Sequence, residues 1–221
     1  MKNKKTELIL IIIISFISLF FWDTEIVYPI KLFIVLIHEI NHVMAAILTG
    51  GGAKSIILNI DLSGSTITYG GNQIIIAAAG YLGSLLIGAI LYLSSFNKKL
   101  WKWISKAIAI IITIVSINLI QGGLQIFLSL VIAAIFFFLP IYLSKNINEI
   151  FLKLLGLTSC LYVIADIKQD LLTTSLRETD TQILEYLTDI PSLLIGFIWF
   201  LISIIIVYGL IRISFRNIKK S

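Results

Sequence analysis

The sequence predicts an all-α polytopic membrane protein, a bundle of about six or seven transmembrane helices with one short β-hairpin after the second. Three observations predict it. Of the 221 residues 58% are apolar and 13% charged, with a mean hydropathy of +1.02, whereas a soluble domain carries about a quarter charged residues. Seven apolar runs approach or exceed the length that crosses about 30 Å of hydrocarbon, at 8–22, 30–48, 73–96, 101–119, 122–143, 147–172 and 191–213. The only two histidines of the chain stand four residues apart inside the second run.

The first run is short and follows a basic stretch, Met1 to Lys5, but Trp22, Asp23 and Glu25 stand where a signal peptide would have a small-residue cleavage site. It reads as an N-terminal anchor helix, with six spans in its place if it does not cross. The second run is bracketed by Pro29, suited to a first helical turn, and by Gly50 to Gly52 at its end. At 1.5 Å per residue, His38 lies roughly 12 Å and His42 roughly 18 Å from the start of that helix, near mid-membrane.

In HEINH, residues 38–42, both imidazoles share one helix face and could reach one zinc ion. Glu39 could then reach a water molecule beside it. Ionisable groups are costly in lipid, and three within five residues call for a compensating ion. A catalytic zinc site takes three protein ligands and one open position. With no third histidine and Cys160 a small buried residue of an apolar helix, the third ligand should be a carboxylate.

Between the second and third runs, AKSIILNIDLSGSTITYGGN alternates β-branched residues about a central Ser63-Gly64 and reads as strand, tight turn and strand. An edge of this hairpin, at Asn59, Ile60, Asp61 and Leu62, is the candidate substrate-binding segment, since an extended peptide could satisfy its unpaired backbone groups. It could equally pack on the helix ends as a lid. In the third run Gly80, Ser84 and Gly88 recur every four residues, a spacing that lets another helix approach closely.

The fourth and fifth runs are separated by Gln121, Gly122 and Gly123 and should form a tight helical hairpin, with Asn118 and Gln125 near its tip. In the sixth, at 100° per residue, Ser159, Tyr162, Asp166, Gln169, Asp170 and Thr173 fall within an arc of about 100°. Such a stripe should face the bundle interior. Asp166 is the first choice for the third ligand, with Asp170, one turn on, as the alternative or as a partner orienting a histidine. From Thr173 to Asp189 the chain turns polar and reads as a short amphipathic surface helix before the last span.

The net charge of +5 comes from lysines and arginines at the helix ends, which suit anionic headgroups. No basic stripe on a soluble domain supports nucleic-acid binding. Lysine and arginine counts in the loops do not choose between the two orientations, because Lys98 to Lys106 and Arg212 to Lys220 fall opposite the basic N-terminus if all seven runs span.

Taken together, HEINHVMAAILTGG, NIDLSGSTITYGGN, AAGYLGS and YVIADIKQDLL resemble, in that order and over most of residues 35–172, the site-2 protease family of intramembrane zinc metallopeptidases, in particular its small bacterial branch. The resemblance implies one membrane-embedded domain over residues 1–221, with a metallopeptidase core at about 29–172. It implies hydrolysis of a peptide bond within or next to a membrane span, with His38, His42 and an aspartate holding one Zn2+ and Glu39 as general base. It further implies a membrane-protein or peptide substrate and a multi-pass protein of the bacterial plasma membrane. Separately, the glycine faces of so small a chain could let two copies pair. Two departures from the family pattern are Asn41, where glycine is usual, and the absence of Leu-Asp-Gly around the third ligand.

Two other classes share these residues. A membrane metallohydrolase or protease acting on exposed loops or soluble peptides would need Glu39 equally. A non-proteolytic zinc-binding membrane protein, scaffold or transporter, is weakened by few intramembrane charges, no detectable inverted repeat and too few ligands for a closed structural site.

Overall fold

The computed structural model describes residues 2–22, 24–172 and 179–220, with side-chain detail over 4–22, 24–167 and 179–218. The chain runs α1 (Lys2–Phe20), α2 (Tyr28–Leu48), β1 (Gly52–Leu58), β2 (Gly64–Tyr69), α3 (Gln73–Ser94), α4 (Lys98–Leu119), α5 (Gly123–Tyr142), α6 (Lys145–Leu172), α7 (Asp180–Thr188) and α8 (Ser192–Lys220). It is an all-α membrane bundle carrying one hairpin. Among the described residues, six helices are long and apolar enough to cross a membrane, namely α2 to α6 and α8. Helix α1, with Lys4, Lys5 and Glu7 in its first turns, is not one of them.

Why the helices stop where they do is legible in their caps. Pro29 occupies the first turn of α2, where its missing N–H costs nothing. Gly50, with φ of +87°, takes the left-handed turn that releases the chain into β1. Asn72 and Asn97 accept hydrogen bonds from the first free N–H groups of α3 and α4. At the tip of the α4–α5 hairpin, Gly122 has φ of +95°. Asn118 there donates to the Ile114 carbonyl of its own helix.

Helix α3 lies along both α2 and α6, and α6 in turn packs on α1 and α8. The α3–α6 contact is a backbone contact: a Cβ on Gly88 would meet the Gly156 carbonyl at 2.8 Å, and one on Gly156 would meet the Gly88 carbonyl at 2.5 Å. Ser159 Oγ donates to the Ser84 carbonyl at 3.2 Å across the same seam. The most apolar stretches of α2 and α6 are each 67% buried, that of α5 only 28%, so α2 and α6 form the interior and the α4–α5 hairpin the periphery.

The hairpin pairs β1 and β2 antiparallel, with Ile56 opposite Thr66 and Leu58 opposite Gly64. Its turn lies earlier than the central Ser63-Gly64 of the sequence reading. Asn59 to Ser63 make the turn, closed by Asn59 N–H to the Ser63 carbonyl at 2.9 Å, and Leu62 carries φ of +62°. Side chains impose that conformation on a leucine: Asn59 Nδ2 donates to Ser63 Oγ, while Ser63 N–H and Oγ both donate to Asp61 Oδ1. These two bonds, backbone and then side chain, hold the Asp61 carboxyl below its ordinary range against a slight burial cost. Asn59, Ile60, Asp61 and Leu62 are thus turn residues and not a strand edge. The outer side of β1 is engaged at Ile56, which bridges Ile120 and accepts from Gln121 N–H at 3.0 Å.

Candidate metal centre

His38 and His42 project from one face of α2 toward α3, with ring centroids 4.9 Å apart. Room for them comes from Gly80 of α3, where a Cβ would stand 2.5 Å from His38 Nε2 and 2.6 Å from His42 Nε2. His42 Nδ1–H donates to the Ile76 carbonyl at 2.8 Å, which leaves the Nε2 lone pair facing outward from α2. The Tyr81 ring meets His38 edge-on at 5.4 Å.

The carboxylate that faces both histidines is Asp180, the first residue of α7. Its Oδ2 lies 3.1 Å from His38 Nε2 and 3.3 Å from His42 Nε2. Thr179 caps this helix by accepting from Gln182 N–H while Gln182 returns a bond to the Thr179 N–H, so the first turn is held in place by a reciprocal pair. Helix α7 is amphipathic and lies on α3 and α8: Thr181 and Leu184 are buried, while Gln182, Glu185, Tyr186 and Leu187 are exposed. The stretch read as a short amphipathic surface helix holds α7, a nine-residue helix with one exposed face, whose first residue also turns a carboxylate inward. Residues 173–178, the first six of that stretch, lie outside the described residues.

Asp166 is in the same cluster but on the other side of His38, with Oδ2 3.9 Å from Nδ1, a distance too long for a hydrogen bond. The α6 polar stripe faces inward as read: Ser159 and Tyr162 are buried, and Tyr162 stacks on Trp22 at 4.6 Å. The side chains of Gln169 and Asp170, and all of Thr173, lie outside the described residues.

Glu39, one position after His38, is 3% exposed and sits under β2. Thr66 Oγ1 donates to Glu39 Oε2 at 2.7 Å, and the Cα of Gly64 crosses the same carboxylate so closely that a Cβ would meet Oε1 at 2.3 Å. The hairpin thus lies directly on the glutamate. Asn41 is accommodated by Gly83, where a Cβ would meet its side chain at 2.4 Å.

Among the described residues, His38, His42 and Asp180 are the group that could hold a metal ion, with one ligand atom from each within 4.8 Å of the others. The donor set fits zinc. Two imidazole nitrogens and one carboxylate oxygen converge, and Asp180 Oδ2 is buried with no hydrogen-bond partner, a condition that a cation relieves.

Sequence reading found the histidine pair, Glu39, the α6 stripe and the close approach of α3. It missed Asp180, Thr66, Gly64 and Gly83. The available signal for Asp180 was the TDTQ capping box, which puts the aspartate in a first helical turn where N–H dipoles favour a negative charge. For Thr66 and Gly64 no sequence signal exists, because their role depends on how the hairpin lies across α2. Among curated proteins and solved structures no significant match is found. A family model described as Peptidase M50B-like matches residues 10–210.

Proposed function

The chain belongs to the Peptidase M50B-like family, a branch of the site-2 proteases, and on that premise we propose that it is an intramembrane zinc metalloprotease that hydrolyses peptide bonds within or next to a membrane span. The observation that carries this reading is the convergence of His38 Nε2, His42 Nε2 and Asp180 Oδ2 beside a buried Glu39.

In this reading His38, His42 and Asp180 hold one zinc ion, and the fourth position is left for water. Zinc, when bound, supplies Lewis-acid activation of that water. Glu39 accepts a proton at its carboxylate and returns it to the leaving amine, as the glutamate of HExxH does in general. Thr66 and Gly64 keep that carboxylate in one orientation under β2. Asp166, 3.9 Å from His38 Nδ1, stands behind the imidazole as a carboxylate without a hydrogen bond to it.

A helical substrate has its carbonyls hydrogen-bonded and must become extended before water reaches one. Since Ile56 of β1 is already engaged by Ile120 and Gln121, the outer side of β2, the strand that touches Glu39, is the better place for an added substrate strand. This replaces the turn residues Asn59 to Leu62 as the substrate-binding segment. The membrane is proposed to be a bacterial plasma membrane, as the family resemblance implies.

The test is metal content and turnover together. Purified protein should contain about one zinc per chain and cleave a reconstituted membrane-span substrate, and Glu39→Gln should keep the zinc and lose the cleavage. Zinc bound with full cleavage in Glu39→Gln, or no zinc in folded protein supplied with it, would overturn the reading.

A further inference from the structure

Helix α4 opens with four lysines, and three of them, Lys98, Lys102 and Lys106, follow at four-residue intervals. At 100° per residue these three span about 80° of the helix surface, and Ala109 and Thr113 continue the same arc toward the middle of the membrane. Below the lysines that arc borders a groove of about 350 Å³ between α4 and α5, lined on the α4 side by Ala109 and Thr113 with Ile110 and Ile114 beyond the arc, and on the α5 side by Ala133, Ala134 and Phe137 among others.

The lysines and the groove are one feature. Lys106 Nζ stands 6.0 Å from the centre of the Phe137 ring, so its ammonium is at the groove mouth. Trp103 and Tyr142 are 67% and 77% exposed at this end of the hairpin, as aromatic residues at a headgroup boundary are. Lys98 lies about 12 Å along the axis from Lys106, which covers the headgroup layer, and Ala109 begins about 4.5 Å below Lys106.

The charge is unbalanced. From Lys98 to Asn148 there is no acidic residue, while Lys99 and Lys145 add to the ladder at the same end. Glu149, the next carboxylate in sequence, is paired with Lys153 of its own helix. The groove itself offers no free side-chain donor, since Thr113 Oγ1 donates to the Ala109 carbonyl at 2.8 Å. A partner helix would find one hydroxyl acceptor there and no donor, and a second copy of this chain would bring an identical lysine ladder against the first. An acyl chain needs no hydrogen bond, and a phosphate meets the lysines.

We propose that the α4–α5 hairpin holds one anionic phospholipid, its phosphate on Lys98, Lys102 and Lys106 and one acyl chain in the groove below. The site shares no residue with the histidine cluster and is independent of the metal reading. Each lysine near a headgroup strengthens binding about fivefold, so the ladder makes the site selective for net negative lipid.

The experiment is native mass spectrometry of the full-length protein, delipidated in neutral detergent and titrated with phosphatidylglycerol or phosphatidylcholine of the same chains. One phosphatidylglycerol should stay bound at concentrations where phosphatidylcholine binds at least tenfold more weakly. Lys102→Gln with Lys106→Gln should weaken phosphatidylglycerol roughly thirtyfold and leave phosphatidylcholine unchanged. Ala134→Trp, which fills the groove from its lipid-facing side, should weaken both.

Equal binding of the two lipids to the native protein, or binding indifferent to both variants, would overturn the proposal. So would lipid retained only by a dimer, or full displacement by millimolar inorganic phosphate, which would reduce the site to a headgroup contact without a chain. Circular dichroism of the variants confirms that any loss is not unfolding.

Discussion

Thr66 Oγ1 donates to Glu39 Oε2 at 2.7 Å across the interface between β2 and α2. The bond ties the one buried carboxylate of α2 to the hairpin. Replacing Thr66 by valine keeps the shape and deletes the hydroxyl, leaving a buried carboxylate oxygen short of one donor. Such a loss costs about 1–3 kcal/mol of stability, and a carboxylate no longer held in one orientation should lower kcat by about tenfold or more. KM and zinc content should not change, and Thr66→Ser should behave as the native protein. If serine and valine reduce kcat equally, hairpin packing and not the hydrogen bond is at work.

Zinc affinity should separate the carboxylates. Asp180→Ala removes the oxygen at 3.1 and 3.3 Å from the two Nε2 atoms and should abolish stoichiometric zinc. Asp166→Ala removes a carboxylate 3.9 Å from His38 Nδ1 that makes no hydrogen bond to it, and should weaken zinc by about tenfold or less while leaving it measurable. Equilibrium dialysis against a competing chelator reads both. Retention of zinc by Asp180→Ala, with loss in Asp166→Ala, would transfer the ligand role to Asp166.

What the sequence showed and what it hid divide along one physical line. Hydropathy is summed over twenty residues, so the apolar runs at 30–48, 73–96 and 122–143 agree with α2, α3 and α5 to within a few residues. Local chemistry also carried through: Pro29 and Gly50 bracket α2, and the two histidines of HEINH share one face of it. Asp180 was hidden because polar composition in 173–189 reads as solvation, which holds for the exposed face of α7, while which residue of such a helix turns inward depends on its packing against α3 and α8. The hairpin turn was misread for a related reason. Ser63-Gly64 is the favoured turn pair, yet the bonds from Asn59 and Ser63 hold the turn earlier and force Leu62 to φ of +62°.

Gly80 and Gly83 should fail in different ways. A methyl group on Gly80 would stand 2.5 Å from His38 and 2.6 Å from His42, so Gly80→Ala should displace both imidazoles and lose zinc with the helical content intact. Gly83→Ala meets Asn41 instead, at 2.4 Å, and overpacking of this kind costs about 1–3 kcal/mol of stability. Asn41→Gly should restore the Tm of Gly83→Ala and do nothing for Gly80→Ala. A common rescue, or none, would mean that α3 shifts as a unit.

The last prediction isolates the carboxylate from the metal. Gly64 has no side chain where a Cβ would lie 2.3 Å from Glu39 Oε1, so Gly64→Ala must push either the carboxylate or the strand away. Zinc bound by His38, His42 and Asp180 should be unaffected, while kcat on a reconstituted membrane-span substrate should fall at least a hundredfold, of the order expected for loss of general-base help. Because the damage runs through Glu39, Gly64→Ala combined with Glu39→Gln should be no slower than Glu39→Gln alone, the non-additivity expected of residues acting as one unit. A double variant slower than either single would mean that Gly64 serves substrate docking on β2 separately from its contact with Glu39.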